Sequence, residues 1–154
     1  MKEKKQLVLS FGANIGERQK NIEQAYTMVE QEIGEMQKRS SFFETKPWGF
    51  ESDNLFINSV ACFFTSLSCD EVLQKIHQIE KSLGRQRTDW AGYQSRKIDI
   101  DILFYEDLIL ETKDLIIPHP LLHKRDFVLM PLKEILPDFI HPVLKQKIRE
   151  IKLT

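Results

Sequence analysis

The stretch that decides the fold is Arg96-Lys97-Ile98-Asp99-Ile100-Asp101-Ile102-Leu103-Phe104. In a β-strand, successive side chains point to opposite faces of the sheet. Strict alternation therefore places Asp99 and Asp101 together on one face. The opposite, apolar face carries Ile98, Ile100, Ile102 and Phe104. We expect a strand with one side in the core and one side available for chemistry.

The carboxylate pair on this strand suggests a metal site. Two carboxylates two positions apart repel each other at neutral pH, and a hard divalent cation relieves that repulsion. Mg²⁺ binds one or two carboxylates and completes its coordination with water and substrate phosphates, so Asp99 and Asp101 indicate phosphoryl chemistry. The alternative is a solvated strand face on which Arg96 and Lys97 neutralise the acids, and the strand alone leaves both interpretations open.

Length and charge restrict the class of protein. A chain of 154 residues can form one domain, 1–154, whose core needs neither disulfides nor a structural metal. The formal net charge of -1 argues against a general nucleic-acid binder and is compatible with a local basic pocket. Cys62 and Cys69 lack metal-binding spacing and are predicted to be ordinary thiols. Residues 1–5 are charged and lead directly into a strand-like segment too short for a signal or membrane span, so we expect a cytosolic protein without membrane contact.

The hydrophobic pattern predicts the element order β-α-β-β-α-β, that of ferredoxin-like α+β folds with helices on one face of an antiparallel sheet. The predicted strands are 7–11, 36–45, 55–65 and 96–104. The two helices are expected to end near Gly34 and Gly84, with Ser68 or Asp70 capping the second. A turn is predicted at 12–16. A small hairpin and a further helix follow, with predicted ranges 108–110, 115–117 and 128–136.

Basic side chains before and after the aspartates form a second group of candidates. Arg85 and Arg87 follow the second predicted helix, and their guanidinium groups suit bidentate contact with phosphate oxygens. Arg96 and Arg125 are candidates for the same pocket. Arg85 also has a simpler explanation, since a basic residue beyond a helix C-terminus interacts favourably with the helix dipole. In combination with the carboxylates, the cations predict a site for a nucleoside triphosphate with Mg²⁺.

Aromatic and amide side chains form a third group. Phe56 and Asn58 share a strand face on which a flat heterocycle could stack and be recognised by an amide. The simpler interpretation is packing with a satisfied polar edge, and Phe127 is most simply a core residue. His119 lies between two prolines on an extended turn, where its imidazole is a candidate donor to phosphate. Asn14 is interpreted as a turn or cap residue.

Five segments occur in order along the chain: Ser40-Ser41-Phe42-Phe43-Glu44-Thr45-Lys46-Pro47-Trp48-Gly49, Phe56-Ile57-Asn58, Ile79-Glu80 with Gly84-Arg85-x-Arg87, 96–103, and Pro118-His119 with Arg125-Asp126-Phe127-Val128-Leu129-x-Pro131-Leu132. Together they resemble the 6-hydroxymethyl-7,8-dihydropterin pyrophosphokinases, a family of folate-pathway enzymes. The central motif, Arg-x-x-Asp-hydrophobic-Asp-hydrophobic-hydrophobic, is highly specific when the Arg-x-Arg and Asn elements precede it.

The resemblance implies a reaction in which the β,γ-diphosphate of ATP moves to the pterin hydroxymethyl group and AMP is released. It implies two Mg²⁺ ions held by Asp99 and Asp101. The implied catalytic residues are Arg85, Arg96, Asp99 and Asp101. The implied ATP contacts are Arg85, Arg87, Arg96, Ile102, His119 and Arg125. The implied pterin pocket consists of Thr45, Trp48, Phe56, Asn58 and Phe127, with Glu80 behind the metal site.

The resemblance also implies that loops 46–54 and 85–95 close over the substrates. The sequence departs from the usual family pattern at Lys46, Phe56 and Gln94, which bears on the geometry of those loops. Two other classes are open from the residues alone: an RNA-binding module, whose strand signature is absent here, and a regulatory module that binds a nucleotide without turnover. The expected partners are ATP and the pterin, and a monomer is expected, with a dimer as the alternative.

Overall fold

The computed structural model describes residues 3–45, 55–84 and 98–154. Its strands are β1 (Lys5–Ala13), β2 (Gly34–Arg39), β3 (Phe43–Thr45), β4 (Phe56–Thr65), β5 (Asp99–Tyr105), β6 (Leu110–Glu111) and β7 (Ile116–Ile117). Its α-helices are α1 (Arg18–Glu32), α2 (Cys69–Ser82) and α3 (Asp126–Ile135). Short 3-10 helices cover Leu122–Lys124 and Ile148–Glu150. Of the helices in these ranges, none combines the length and apolar character needed to cross a bilayer.

The main sheet is antiparallel, with strand order β2-β4-β1-β5. The short β3 pairs with β4 as well, and β6 pairs with β7 in a separate two-stranded ladder. Because β1 lies between β4 and β5, it receives hydrogen bonds along both edges. The predicted α+β class with an antiparallel sheet is confirmed.

Apolar side chains are buried on both faces of this sheet. On one face, Leu9 and Phe11 of β1 pack with α1 and α2. On the other, Val8 of β1 and Cys62 of β4 pack with α3 and with Ile148 near the C-terminus. The expectation of helices on one face therefore holds for α1 and α2 only. The central strands are apolar at successive positions, so both faces of the sheet need a cover, and α3 with the C-terminal segment covers the second face.

The predicted alternation along β5 is broken near its end. Ile100 and Ile102 face α1 and α2 as predicted, but Leu103 and Phe104 both belong to the cluster on the opposite face. The cause is a β-bulge: Val8 pairs with Phe104 whereas Leu9 pairs with Ile102, so one residue of β5 is extra. The prediction that Phe104 shares the isoleucine face is wrong.

Two predicted boundaries also change. Gly12 lies inside β1, paired with strands on both sides, so the turn predicted at 12–16 begins only after Ala13. The single strand predicted over 36–45 divides into β2 and β3. At the division, the Ser40 amide donates to the Val60 carbonyl at 2.8 Å, and the Ser40 hydroxyl accepts from the Val60 amide at 3.0 Å. A side chain there replaces part of the backbone ladder.

The second helix begins and ends as the sequence predicts. Ser68 is its N-cap and forms a capping box with Glu71, in which each side chain accepts from the other residue's backbone amide. Asp70 instead lies in the first turn, where a carboxylate interacts favourably with the helix dipole. Beyond the helix, Gly84 has φ of +96°, the left-handed conformation that glycine adopts without steric cost.

The segment after α3 is organised by His141, which is 4% exposed. Its Nδ1 accepts from the Val143 and Leu144 amides at 3.1 and 3.0 Å. Its ring meets Phe104 edge to face, with centroids 5.4 Å apart. Burial, and to a smaller extent the nearby His123, lowers the pKa of His141 to about 4. A neutral imidazole is required because protonation of Nδ1 would remove both hydrogen bonds.

The low pKa of His141 predicts that acid destabilises the protein. An unfolded histidine binds a proton near pH 6.5, while native His141 does so only near pH 4, so the unfolded state gains protons first as the pH falls. Stability from this group is complete above about pH 6.5 and declines towards pH 4. We expect the urea midpoint of unfolding to fall between pH 7 and pH 5, and to fall less in His141→Asn, whose amide oxygen still accepts.

A matched variant separates titration from hydrogen bonding. His141→Leu also removes the titration but leaves the amides of Val143 and Leu144 without an acceptor, so it should unfold at lower urea than His141→Asn at pH 7. An equal acid-induced fall in wild type and His141→Asn would contradict this role of His141.

Candidate active site

The register of β1 brings the candidate residues onto one face of the sheet. Gly12 lies opposite Asn58 of β4 on one side and opposite Asp99 of β5 on the other. Asp101 lies opposite Ser10 of the same strand. Directly paired residues in antiparallel strands point to the same face, so Asn58 and both aspartates share it. Neighbouring strands are about 4.8 Å apart, which places Asn58 and Asp99 about 10 Å apart across Gly12.

One half of this face carries the candidate aromatic and amide side chains of β3 and β4. The Asn58 side chain is 7% exposed, and its Nδ2 donates to the Thr45 hydroxyl at 3.0 Å. Phe56 pairs with Thr45 in the ladder and shares the Asn58 face. The β3 and β4 pairing therefore fixes the direction of the Asn58 amide beside an aromatic ring.

The N-terminus of α3 lies on the same side of the sheet. Phe127 is half-buried and packs against the apolar cluster under α3. The Arg125 guanidinium carbon lies 5.6 Å from the centre of the Phe127 ring, within the range of a cation–π interaction. The interpretation of Phe127 as a core residue is thus correct only for part of its ring, and the remainder is accessible.

The other half of the face carries the carboxylates. Asp99 and Asp101 are half-buried on β5. Between them, the Ile100 amide donates to the Glu80 carboxylate at 2.9 Å. Ile100 pairs with Phe11 of β1 on one side, and the other side of β5 is the edge of the described sheet. Glu80 of α2 therefore lies at the outer edge of β5. Glu80 has no solvent exposure, and it holds the strand at the residue between the two acids.

The carboxylate pair has donor chemistry that fits Mg²⁺. Asp99 and Asp101 offer hard oxygen donors on one face, and their partial exposure leaves access for water and phosphate, which Mg²⁺ generally retains among its ligands. Among the described residues there is no group of three or more His, Cys, Asp or Glu side chains placed to hold a metal. The donors present fit an ion that arrives with a phosphorylated ligand.

His119 joins this site from the segment after β7. Its backbone amide donates to the Leu103 carbonyl at 3.1 Å, and its Nδ1 accepts from the Leu121 amide at 3.2 Å. Burial lowers the pKa of His119 to about 4; the positive charge of Arg125 also lowers it, and Asp99 opposes the shift. The imidazole is therefore neutral at pH 7. With Nδ1 as an acceptor its proton lies on Nε2, which can donate to a ligand.

The predicted site residues divide into three groups. Those brought to or beside this face are Thr45, Phe56, Asn58, Asp99, Asp101, His119, Arg125 and Phe127. Ile102 is buried in the core beneath α1 and α2, so only its backbone is available to a nucleotide. Those outside the described residues are Trp48, Arg85, Arg87 and Arg96, as are Lys46, Gln94 and the loops 46–54 and 85–95.

One residue at the centre of this face was missed in the sequence. The predicted turn at 12–16 includes Gly12, although this residue lies between Asn58 and Asp99 in the ladder. A signal was present: Ser10 and Gly12 alternate with the apolar residues Phe11 and Ala13, which is the pattern of a strand with one small, polar face.

Acidic and basic groups that converge beside an aromatic–amide pair are typical of enzymes that handle phosphates together with a flat organic substrate.

Comparison with known proteins places the chain in a particular family. A family model described as 7,8-dihydro-6-hydroxymethylpterin-pyrophosphokinase (HPPK) matches residues 8–137. The 2-amino-4-hydroxy-6-hydroxymethyldihydropteridine pyrophosphokinase of Aquifex aeolicus is 44% identical over 145 residues, covering 94% of this chain and 88% of the relative. The enzyme of the same name from Porphyromonas gingivalis is 38% identical over 136 residues, covering 87% and 92%. The chain belongs to this pyrophosphokinase family.

Some similar proteins are much longer. The folic acid synthesis protein FOL1 of Dictyostelium discoideum is 40% identical over 145 residues, and the match covers 94% of this chain but 22% of that protein. A crystal structure of Plasmodium falciparum HPPK-DHPS has a TM-score of 0.79 at 18% identity, covering 97% of this chain and 43% of the other. This structural match supports the fold. Through its family the chain is an enzyme with pyrophosphokinase activity in folate biosynthesis, and such kinases use ATP and generally require Mg²⁺.

The contact between Glu80 and β5 predicts a stability difference between two variants. Glu80→Ala leaves the buried Ile100 amide without its acceptor, which costs about 1–3 kcal/mol of unfolding free energy. Glu80→Gln retains an acceptor oxygen and should lose less. Urea unfolding of wild type and both variants, without ATP or pterin, measures the difference. Equal stability of wild type and Glu80→Ala would show that the Ile100 contact contributes nothing.

Proposed function

We propose that the protein binds ATP with two Mg²⁺ ions and transfers the β,γ-diphosphate to 6-hydroxymethyl-7,8-dihydropterin. The observation that carries this proposal is the register that places Asn58 and Asp99 on either side of Gly12. With this register, a flat heterocycle bound beside Asn58 would lie about two strand spacings, about 10 Å, from the carboxylate pair. A hydroxymethyl arm on a ring bound beside Asn58 can extend towards phosphates held at β5.

The pterin ring is proposed to stack between Phe56 and Phe127, with Asn58 recognising its amide edge. The hydrogen bond from Asn58 to Thr45 supports this assignment, because it holds the amide in one orientation before the ligand arrives. Backbone groups near Thr45 and Trp48 complete the proposed pocket. A fixed ring places the hydroxymethyl oxygen in one position, which is the main requirement for attack on a phosphorus atom.

Asp99 and Asp101 would hold the Mg²⁺ ions, and Glu80 keeps their strand in place. When bound, Mg²⁺ supplies positive charge that offsets the charge of the triphosphate. His119 donates from Nε2 to a phosphate oxygen as a neutral group, and Arg125 adds a permanent positive charge beside it. Arg85, Arg87 and Arg96 are proposed as further phosphate contacts, with Arg85 and Arg96 catalytic, and Ile102 as a nucleotide contact through its backbone.

The proposed reaction forms a bond between the pterin hydroxymethyl oxygen and the β-phosphorus of ATP. The bond from that phosphorus to the oxygen it shares with the α-phosphorus breaks, and AMP departs with that oxygen. The hydroxyl proton passes to solvent. Positioning and charge neutralisation are proposed to carry catalysis, without a dedicated general base.

We extend the proposal to the organisation of the protein. The order β2-β4-β1-β5, with α1 and α2 on one face, supports a ferredoxin-like core followed by the β6 and β7 hairpin. The family match over 8–137 supports a single pyrophosphokinase domain over 1–154. ATP and the pterin are the proposed partners of a cytosolic monomer that binds neither nucleic acid nor membrane. Light scattering of the purified protein tests the monomer against the dimer.

Activity of Asp101→Asn tests the proposed site. Protein, ATP, Mg²⁺ and the pterin are mixed, and AMP is resolved from ADP by chromatography. Wild type should form AMP only when the pterin is present, and Asp101→Asn should lose turnover by orders of magnitude while remaining folded. Activity within about tenfold of wild type, roughly 1.4 kcal/mol of barrier, would contradict the metal assignment.

Asp107→Asn is the matched control, since Asp107 is an exposed aspartate just beyond β5, and it should retain wild-type activity. Formation of ADP in place of AMP would indicate an ordinary kinase or ATPase. Salt-dependent RNA binding without turnover would favour the RNA-binding module.

A further inference from the structure

Gly12 occupies the middle of the candidate active site without contributing a side chain. It is buried on β1, with Asn58 on one side in the ladder and Asp99 on the other. A Cβ atom built on Gly12 would lie 2.8 Å from Asn58 Oδ1 and 3.8 Å from Phe56 Cδ1. The first distance is shorter than real Cβ contacts, so an alanine here would displace the Asn58 amide.

The need for glycine at this position is a need for space. The positive φ angles among the described glycines belong to Gly16 and Gly84, whereas Gly12 is ordinary strand backbone that any residue adopts. Its side of β1 faces away from α1 and α2, because Phe11 and Ala13 point into that core. A methyl group at Gly12 would therefore enter the site rather than the core.

Asn58 has little freedom to move away from such a methyl group. Its side chain is 7% exposed, and its Nδ2 donates to the Thr45 hydroxyl at 3.0 Å. β3 lies on the side of β4 opposite to β1, so a shift of the amide away from β1 would press Nδ2 against the Thr45 hydroxyl, and a rotation would turn Oδ1 out of its present direction. The Asn58 amide is thus held between a hydroxyl on β3 and the empty side of Gly12.

We infer that Gly12 is a positioning residue for pterin recognition: the space above its Cα allows the Asn58 amide to lie across β1 in its recognition orientation. The inference rests on the proposed function, in which Asn58 recognises the pterin. It assigns to Gly12 an effect on pterin affinity that acts entirely through Asn58. The effect is restricted to the pterin side, because the three atoms nearest to a Cβ at position 12 belong to Asn58 and Phe56 and none belongs to Asp99 or Asp101.

A double-mutant cycle tests the coupling between Gly12 and Asn58. The variants are Gly12→Ala, Asn58→Ala and the two combined. The probe is 6-hydroxymethylpterin, titrated by its fluorescence in the presence of Mg²⁺ and α,β-methylene ATP, which cannot release AMP. Each single variant should weaken pterin binding by about tenfold or more, the usual effect of displacing a buried hydrogen-bonding group. Adding Gly12→Ala to Asn58→Ala should cost less than about twofold, because the side chain it displaces is already gone.

Two further measurements keep the outcomes distinct. The affinity for α,β-methylene ATP without pterin should be the same in all four proteins, and a loss in Gly12→Ala would overturn the restriction to the pterin side. If Gly12→Ala does not fold, the double variant should fold, since truncation of Asn58 removes the clash. Failure of both to fold would show that position 12 requires glycine for another reason and would overturn the inference.

The same titrations separate this inference from the proposed function. If wild type binds the pterin and the two substitutions are additive, Gly12 acts independently of Asn58 and the inference is wrong while the proposed function stands. If wild type does not bind the pterin at all, the proposed function and the inference fail together.

Discussion

The register of β1 between β4 and β5 is the constraint on which the rest of the structure depends. Because side chains alternate along a strand, a slip by one residue would turn Asn58 or Asp99 to the opposite face. The core enforces the register through Leu9 and Phe11, which must face α1 and α2. Burial of apolar side chains on one face thus aligns polar side chains on the other.

The candidate site includes an edge strand of the described sheet. β5 is an edge strand of the described sheet, so half of its backbone groups have no neighbouring strand. Glu80 bonds the Ile100 amide on that edge, and the His119 amide bonds the Leu103 carbonyl. These contacts join α2 and the segment after β7 to the strand that carries the carboxylates, and they allow an edge strand to present its acids in a defined geometry.

Local features of the fold were predictable because neighbouring residues decide them. Ser68 and Glu71 lie at the capping-box spacing, and Gly84 lies where a left-handed residue ends the helix. The acidic face of β5 followed from alternation alone. By contrast, the bulge that turns Phe104 to the second face depends on pairing with β1, which lies far away in the sequence. The packing of α3 on the face opposite to α1 and α2 likewise depends on which face the assembled sheet leaves uncovered.

The sequence by itself determined the family, the α+β class, the carboxylate pair on β5 and the candidate amide Asn58, because motif spacing and strand alternation are properties of the chain. Only the tertiary structure decided that Gly12 lies between Asn58 and Asp99, that Glu80 holds the outer edge of β5, and that the imidazole of His119 is neutral. The physical reason is that strand register, burial and charge neighbours arise between residues distant in sequence, and they exist only when the sheet has formed.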